Sequence, residues 1–143
     1  MHTIIIQASA FMLVMMSSFG AKAQVIGMWR SVDDRDGSEK GMIEIYEQNG
    51  MLYGKVVKLL KGSTYTTCSK CEGDLKDKPL VGMTIIYDLK KTATGGTGGS
   101  VIDPNNGRTY SCYVELENAD KLKIRGYIGF PALGRTQYWN RVE

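Results

Sequence analysis

Three cysteines, a single histidine and a run of aspartates are the residues of this chain whose chemistry could extend beyond packing. Cys68-Ser69-Lys70-Cys71 has the spacing used by thiol oxidoreductases and by half-sites for zinc. No helical pattern follows Cys68 to lower its pKa, so a structural disulfide is expected rather than a redox centre. Either Cys68 and Cys71 bridge within their loop and leave Cys112 as a buried free thiol, or Cys112 staples the loop and one loop thiol is left over. A metal site of three thiolates completed by Glu72 or Asp74 would lack both a fourth cysteine and any histidine, and no metal is assigned.

The histidine is His2, inside an apolar leader. Residues Thr3 to Phe19 are rich in Ile, Met, Leu, Val and Phe and lead into Ala21-Lys22-Ala23, a small-x-small pattern of the kind signal peptidase cuts after. Residues 1–23 are therefore expected to be a removed signal peptide, which makes the protein periplasmic or secreted, with no transmembrane segment after cleavage. The alternative, a membrane anchor, is disfavoured because the run is short and interrupted by Gln7, Ser17 and Ser18. The n-region is unusual in carrying neither Lys nor Arg.

Without its leader the chain has no histidine. That excludes a serine or cysteine hydrolase with a His base and any His-ligated metal site, so a general acid or base would have to be Asp, Glu, Tyr, Lys or Cys. Asp103, Tyr127 and Glu44 are candidates, but they form no evident acid-base pair, and no catalytic residue is assigned. The run Asp33-Asp34-Arg35-Asp36-Gly37 invites comparison with a calcium loop. Aligning Gly37 with the loop glycine puts Val32 at the first ligand position and Ile43 at the last, so the reading is a solvated turn. No cofactor motif is found: the glycine-rich stretch Lys90 to Ser100 lacks both a P-loop ending and dinucleotide-type spacing, and reads as a flexible surface linker.

The remaining candidates lie near the C-terminus. Arg125, Tyr127, Arg135, Gln137 and Trp139 form a polar and aromatic set suited to holding the anionic head group of a ligand at a barrel mouth. The competing reading is a structural corner and an ordinary exposed strand face.

These residues have to be positioned by strands. Lys121 to Tyr127 alternates Leu122, Ile124 and Gly126 against Lys123, Arg125 and Tyr127, and the apolar face is expected to continue to Ile128. Arg135 to Arg141 alternates without a clearly apolar face, leaving the direction of Trp139 open. Gly41 to Gln48 and Met51 to Leu60 flank Asn49-Gly50, a two-residue hairpin turn. Further strands are expected at Val25 to Arg30, Pro79 to Asp88 and Thr109 to Glu117, the last with Tyr110, Cys112, Val114 and Leu116 on its apolar face. Asp103 to Gly107 is a turn, and Lys61 to Lys78 a polar excursion.

About eight short strands and no helical segment in residues 24–143 predict one all-β domain, a small antiparallel up-and-down β-barrel that closes on itself and leaves no exposed edge. The 120 residues suffice for one modest core. With Lys22 removed, 17 Lys and Arg face 15 Asp and Glu, a formal charge of +2. That balance calls for no nucleic-acid partner.

On these pieces the chain resembles the uncharacterised bacterial family catalogued as domain of unknown function 2147. The matching segments are Gly27-Met28-Trp29; the hairpin Ile43 to Gly54; the CSKC element with Asp77 to Gly82; Ile102 to Gly107 with Tyr110 and Cys112; and Leu122 to Trp139. The resemblance implies a small exported bacterial protein and brings no activity or ligand. The chain departs from the family in its loop at Gly95 to Gly99. A second similarity is to lipocalin-like barrels, in which Trp29 and an arginine near the last strand, Arg141 or Arg135, would stack as a structural anchor closing the barrel end.

Three functions follow as expectations. The first is a non-enzymatic binding module for a small hydrophobic or amphipathic ligand. The second is an envelope structural or protein-interaction module without a small ligand. The third is a CxxC thiol redox or metal protein.

Overall fold

The computed structural model describes residues 23–142; the expected leader, residues 1–23, lies outside them apart from Ala23. Eight strands follow one another: β1 (Gly27–Val32), β2 (Glu39–Gln48), β3 (Met51–Leu59), β4 (Thr84–Lys91), β5 (Gly95–Asp103), β6 (Arg108–Asn118), β7 (Lys121–Tyr127) and β8 (Gly134–Val142). Each pairs antiparallel with the next, and β8 pairs with β1, so the meander is a closed barrel. Closure satisfies the edge strands that an open sheet would expose. The single helical element among the described residues is a 3₁₀ turn, Gly73–Leu75.

Alternation fixes which side chains point inward. In β2, Ile43 and Ile45 are buried while Glu44 and Tyr46 are half-buried on the outer face. In β7, Leu122 and Ile124 are buried between Lys121, Lys123 and Arg125. Between β2 and β3, Asn49 and Gly50 take φ of 52° and 80°, the positive values a tight hairpin turn requires. In β6, Cys112 and Val114 are buried, while Leu116 is only partly so.

Three expectations need correction. Lys90 to Ser100 is not a linker: β4 runs on to Lys91 and β5 begins at Gly95. The glycines serve close packing, because a Cβ at Gly96 would lie 3.0 Å from Leu89 Cβ and one at Gly99 would lie 2.8 Å from Leu89 Cδ2. The wall at β5 is bare backbone against which Leu89 seats, a role that low strand propensity conceals. The strand expected from Pro79 starts later, at Thr84; residues 79–83 instead close the β3–β4 excursion, with Leu80 N donating to Thr66 O and Thr67 bridging Pro79. Ile128 does not extend the inward face of β7, since the strand ends at Tyr127 and Ile128 is 60% exposed.

The two ends of the barrel differ. At one, Arg141 of β8 lies over the Trp29 indole, 4.2 Å from its centroid, and donates to the carbonyls of Gln24, Ile26 and Ala119. Trp29 itself is fully buried and donates from Nε1 to Val25 O at 2.9 Å. At the other end lie the β1–β2, β3–β4, β5–β6 and β7–β8 connections, as the up-and-down order requires. The longest, β3–β4, carries a Cys68–Cys71 disulfide, and Cys112 is the buried free thiol.

Candidate functional site

A cavity of about 380 Å³ opens at this second end, within the size range of small-molecule sites. It does not run the length of the barrel. Trp29, Leu52, Leu89, Val114 and Leu122 are each 2% exposed or less, and none lines it, so the half near the Trp29–Arg141 stack is solid. Ile43, Val56, Ile124 and Trp139 form apolar walls, and Tyr65 and Leu80 from the β3–β4 excursion lean over them.

A polar seam crosses the lining, which also includes Ser31, Asp33, Lys40, Asp103 and Asn105. Trp139 is 3% exposed and faces inward, which settles the direction of the β8 alternation. Its Nε1 donates to Gln137 Oε1 at 3.0 Å, and Gln137 Nε2 donates to Asp34 Oδ1 at 3.1 Å. Arg135 grips the same carboxylate with two bonds, Nη2 to Oδ1 at 2.7 Å and Nε to Oδ2 at 3.0 Å. Residues 135, 137 and 139 share a face because side chains two apart on a strand do. Asp34 reaches them because β1 pairs with β8, which sets the β1–β2 loop beside the start of β8. Partial burial pushes the Asp34 carboxyl up, but the bonds from Arg135 and Gln137 outweigh it and hold the group below the usual carboxylate range.

Of the five residues proposed for the head group, Tyr127, Arg135, Gln137 and Trp139 line the cavity. Arg125 points to the outer face, where Nε and Nη2 donate to Pro131 O at 2.9 and 2.7 Å and Nη1 to Thr136 Oγ1 at 2.8 Å. Tyr127 stands at the rim, its ring 6.4 Å from that of Tyr113.

The acid-base candidates are not brought together. Asp103 lines the cavity, with Oδ1 accepting from Asn105 N at 2.9 Å. Glu44 sits on the outer face, 3.8 Å from Lys55 Nζ.

Sequence reasoning passed over both aspartates at the start of the β1–β2 loop. Asp33 is not solvated but 4% exposed, and it accepts from Arg35 N at 2.8 Å and from Arg35 Nε at 3.1 Å. Burial raises its pKa, yet these bonds win and hold it low. Asp34 is the acceptor of the seam, and no local pattern distinguishes it from Asp36, which only caps Ser38. Every buried side-chain N or O among the described residues has a partner.

The three sulfurs do not share a site. Cys68 and Cys71 are bonded and buried, at 0% and 3% exposure, while Cys112 sits inside β6 with its pKa pushed up to about 12 by burial. Thiol exchange needs a sulfur that an external thiolate can reach; Cys68 is fully buried, and Cys71, which borders a surface cleft, is 3% exposed.

A closed eight-stranded meander, solid at an Arg-on-Trp end and hollow at the other, defines a lipocalin-like barrel. The chain belongs to the family described as an uncharacterized protein conserved in bacteria (DUF2147), which matches it over residues 27–141. Among solved structures it is similar to protein HP1028 from Helicobacter pylori, described as belonging to the lipocalin family. The two share 19% identity at a TM-score of 0.74, over 85% of this chain and 84% of that one. At that identity the likeness speaks for the fold. No curated protein matches the chain.

Proposed function

We propose that the chain is an exported, non-enzymatic binding module for a small hydrophobic or amphipathic ligand whose head group is not anionic. The observation that carries the reading is the cavity itself: about 380 Å³ of largely apolar space crossed by one hydrogen-bonded seam. Such a volume displaces about a dozen waters when filled, and apolar walls with few polar groups are what a small-ligand site requires. The disulfide of the β3–β4 excursion supports export, since such bonds persist in oxidising compartments.

The seam also bears on the head group. Asp34 occupies the Nε–Nη2 edge of Arg135 and neutralises its charge, so a carboxylate ligand would meet a paired cation and a nearby carboxylate, against the anionic head group expected from the sequence. A hydroxyl or amide can instead join the line at Gln137 or Asp34 without leaving a charge unpaired. Lys40, the other cation of the lining, donates to Gly62 O at 2.7 Å.

Native mass spectrometry of protein purified from its host tests occupancy, and calorimetry with matched long-chain alcohols and carboxylates tests the head group. Gly126→Phe is the blocking variant. Gly126 lines the cavity, and a Cβ there meets nothing nearer than 3.6 Å, so the ring enters the cavity with the backbone undisturbed. Alcohol binding abolished by Gly126→Phe at unchanged circular dichroism is the expected result. Absence of any bound species, or binding that survives this variant, would sink the reading.

A further inference from the structure

The loop between β7 and β8 carries three of the most exposed large apolar side chains among the described residues: Ile128 at 60%, Phe130 at 64% and Leu133 at 62%. The segment Ile128 to Gly134 contains no charged residue. Solvent-facing apolar groups gathered in one short loop mark an interaction site when they are not scattered singly. This loop stands at the hollow end of the barrel, and Ile128 and Leu133 also line the cavity.

Two cations without an ion pair among the described residues stand beside it. A cleft beside it is lined by Lys70, Arg108 and Ile128, with Glu72 the single carboxylate of that lining. Arg125 and Arg135 occupy the strands on either side of the loop, Arg135 with its charge neutralised by Asp34. Among the described residues Arg108 enters no ion pair, and Lys70 rests over the Tyr65 ring at 5.9 Å, leaving its charge uncancelled.

We propose that this tip docks the open end of the barrel onto an anionic lipid bilayer, with Phe130, Leu133 and Ile128 entering the interface and Lys70 and Arg108 facing the headgroups. Apolar insertion combined with attraction to anionic lipid is the usual physics of such surfaces. The tip is pre-shaped for it, because the Arg125 fork holds Pro131 O from both Nε and Nη2 and the loop need not be ordered on contact. A single projecting loop is also too small for the roughly 800 Å² per partner that a stable protein interface buries. Docking here would turn the cavity mouth towards the membrane. The inference does not depend on the cavity being occupied.

The test uses residues 24–143, which contain the whole closed barrel and omit the apolar leader, in flotation with vesicles of phosphatidylglycerol mixed into phosphatidylcholine and with pure phosphatidylcholine. The wild type is expected to float with the anionic vesicles. Combining Phe130→Ser with Leu133→Ser should reduce partitioning at least ten-fold without changing the melting temperature by more than a few degrees. Combining Lys70→Gln with Arg108→Gln should reduce it about 25-fold, since each cation near the surface contributes about five-fold. Gly126→Phe should float as the wild type does, which separates this outcome from failure of ligand binding. No flotation, equal flotation with neutral vesicles, or flotation unaffected by the serine pair overturns the proposal. So does a dimer in ultracentrifugation that the serine pair splits and vesicles do not compete with, because the tip would then serve a second copy of the chain.

Discussion

The guanidinium of Arg141 lies 4.2 Å from the centre of the Trp29 indole and so joins the last strand of the barrel to the first. The same side chain donates to Gln24 O, Ile26 O and Ala119 O, which ties the segment before β1 and the β6–β7 turn into one cap.

Arg141→Ala should therefore destabilise the barrel by about 2–3 kcal/mol, the combined scale of a desolvated cation-π contact and lost charged hydrogen bonds. Arg141→Lys should recover little of this, because an ammonium offers neither the fork nor the stacking plane. Urea denaturation midpoints decide the matter, and a lysine variant as stable as wild type would count against the role given to the fork.

Asp34→Asn should change ligand preference rather than fold. Removing the carboxylate frees Arg135 and turns the seam from a neutralised pair into an anion acceptor. Calorimetry should show long-chain carboxylates gaining about ten-fold over matched alcohols relative to wild type, the scale of one charge-assisted bond. An unchanged ratio would show that Arg135 takes no part in head-group choice.

Gly99→Leu should be among the most damaging single changes in the barrel. Even a bare Cβ at Gly99 would crowd the carbonyl of Tyr87 and stand 2.8 Å from Leu89 Cδ2. Overpacking of this kind costs about 1–3 kcal/mol or more. Gly98→Ala, where nothing lies within 4 Å but φ is +70°, should cost less, through backbone conformation alone. Melting temperatures of the two variants should rank in that order.

Cys112 should resist thiol reagents in the native protein at pH 8 and react stoichiometrically on denaturation. Burial raises its pKa from 9.0 to about 12, so between those values the folded state keeps a proton that the unfolded state has released. The associated stability is fully present below pH 9 and is lost as pH rises through that window, by at most about 1.4 kcal/mol per pH unit. Cys112→Val should flatten that part of the alkaline stability profile, as measured by urea denaturation at pH 8 to 10.

Much of the architecture is legible in the chain because it follows from local rules: the period-two alternation of Ile43 and Ile45 or Leu122 and Ile124, and the Asn49-Gly50 turn. Closure is legible too, since residues able to form an Arg-on-Trp cap sit at opposite ends of the chain. What stays hidden depends on contacts distant in sequence. The β5 glycines look like linker until Leu89 is seen pressing against them. Asp34 looks like any turn aspartate until the β1–β8 pairing brings it to Arg135 and Gln137. Trp139 could not be oriented from its own strand because β8 carries polar residues on both faces, and the inward ones bond along a seam that only the assembled barrel creates.

The placement of the two tryptophans gives the molecule an intrinsic optical gauge. Trp29 is sealed in the solid half, so its fluorescence is a constant background, whereas Trp139 borders the hollow half with its N–H tied to Gln137. A shift in emission colour on filling the chamber would therefore come from one known indole, and the unlabelled protein can report its own occupancy in a titration.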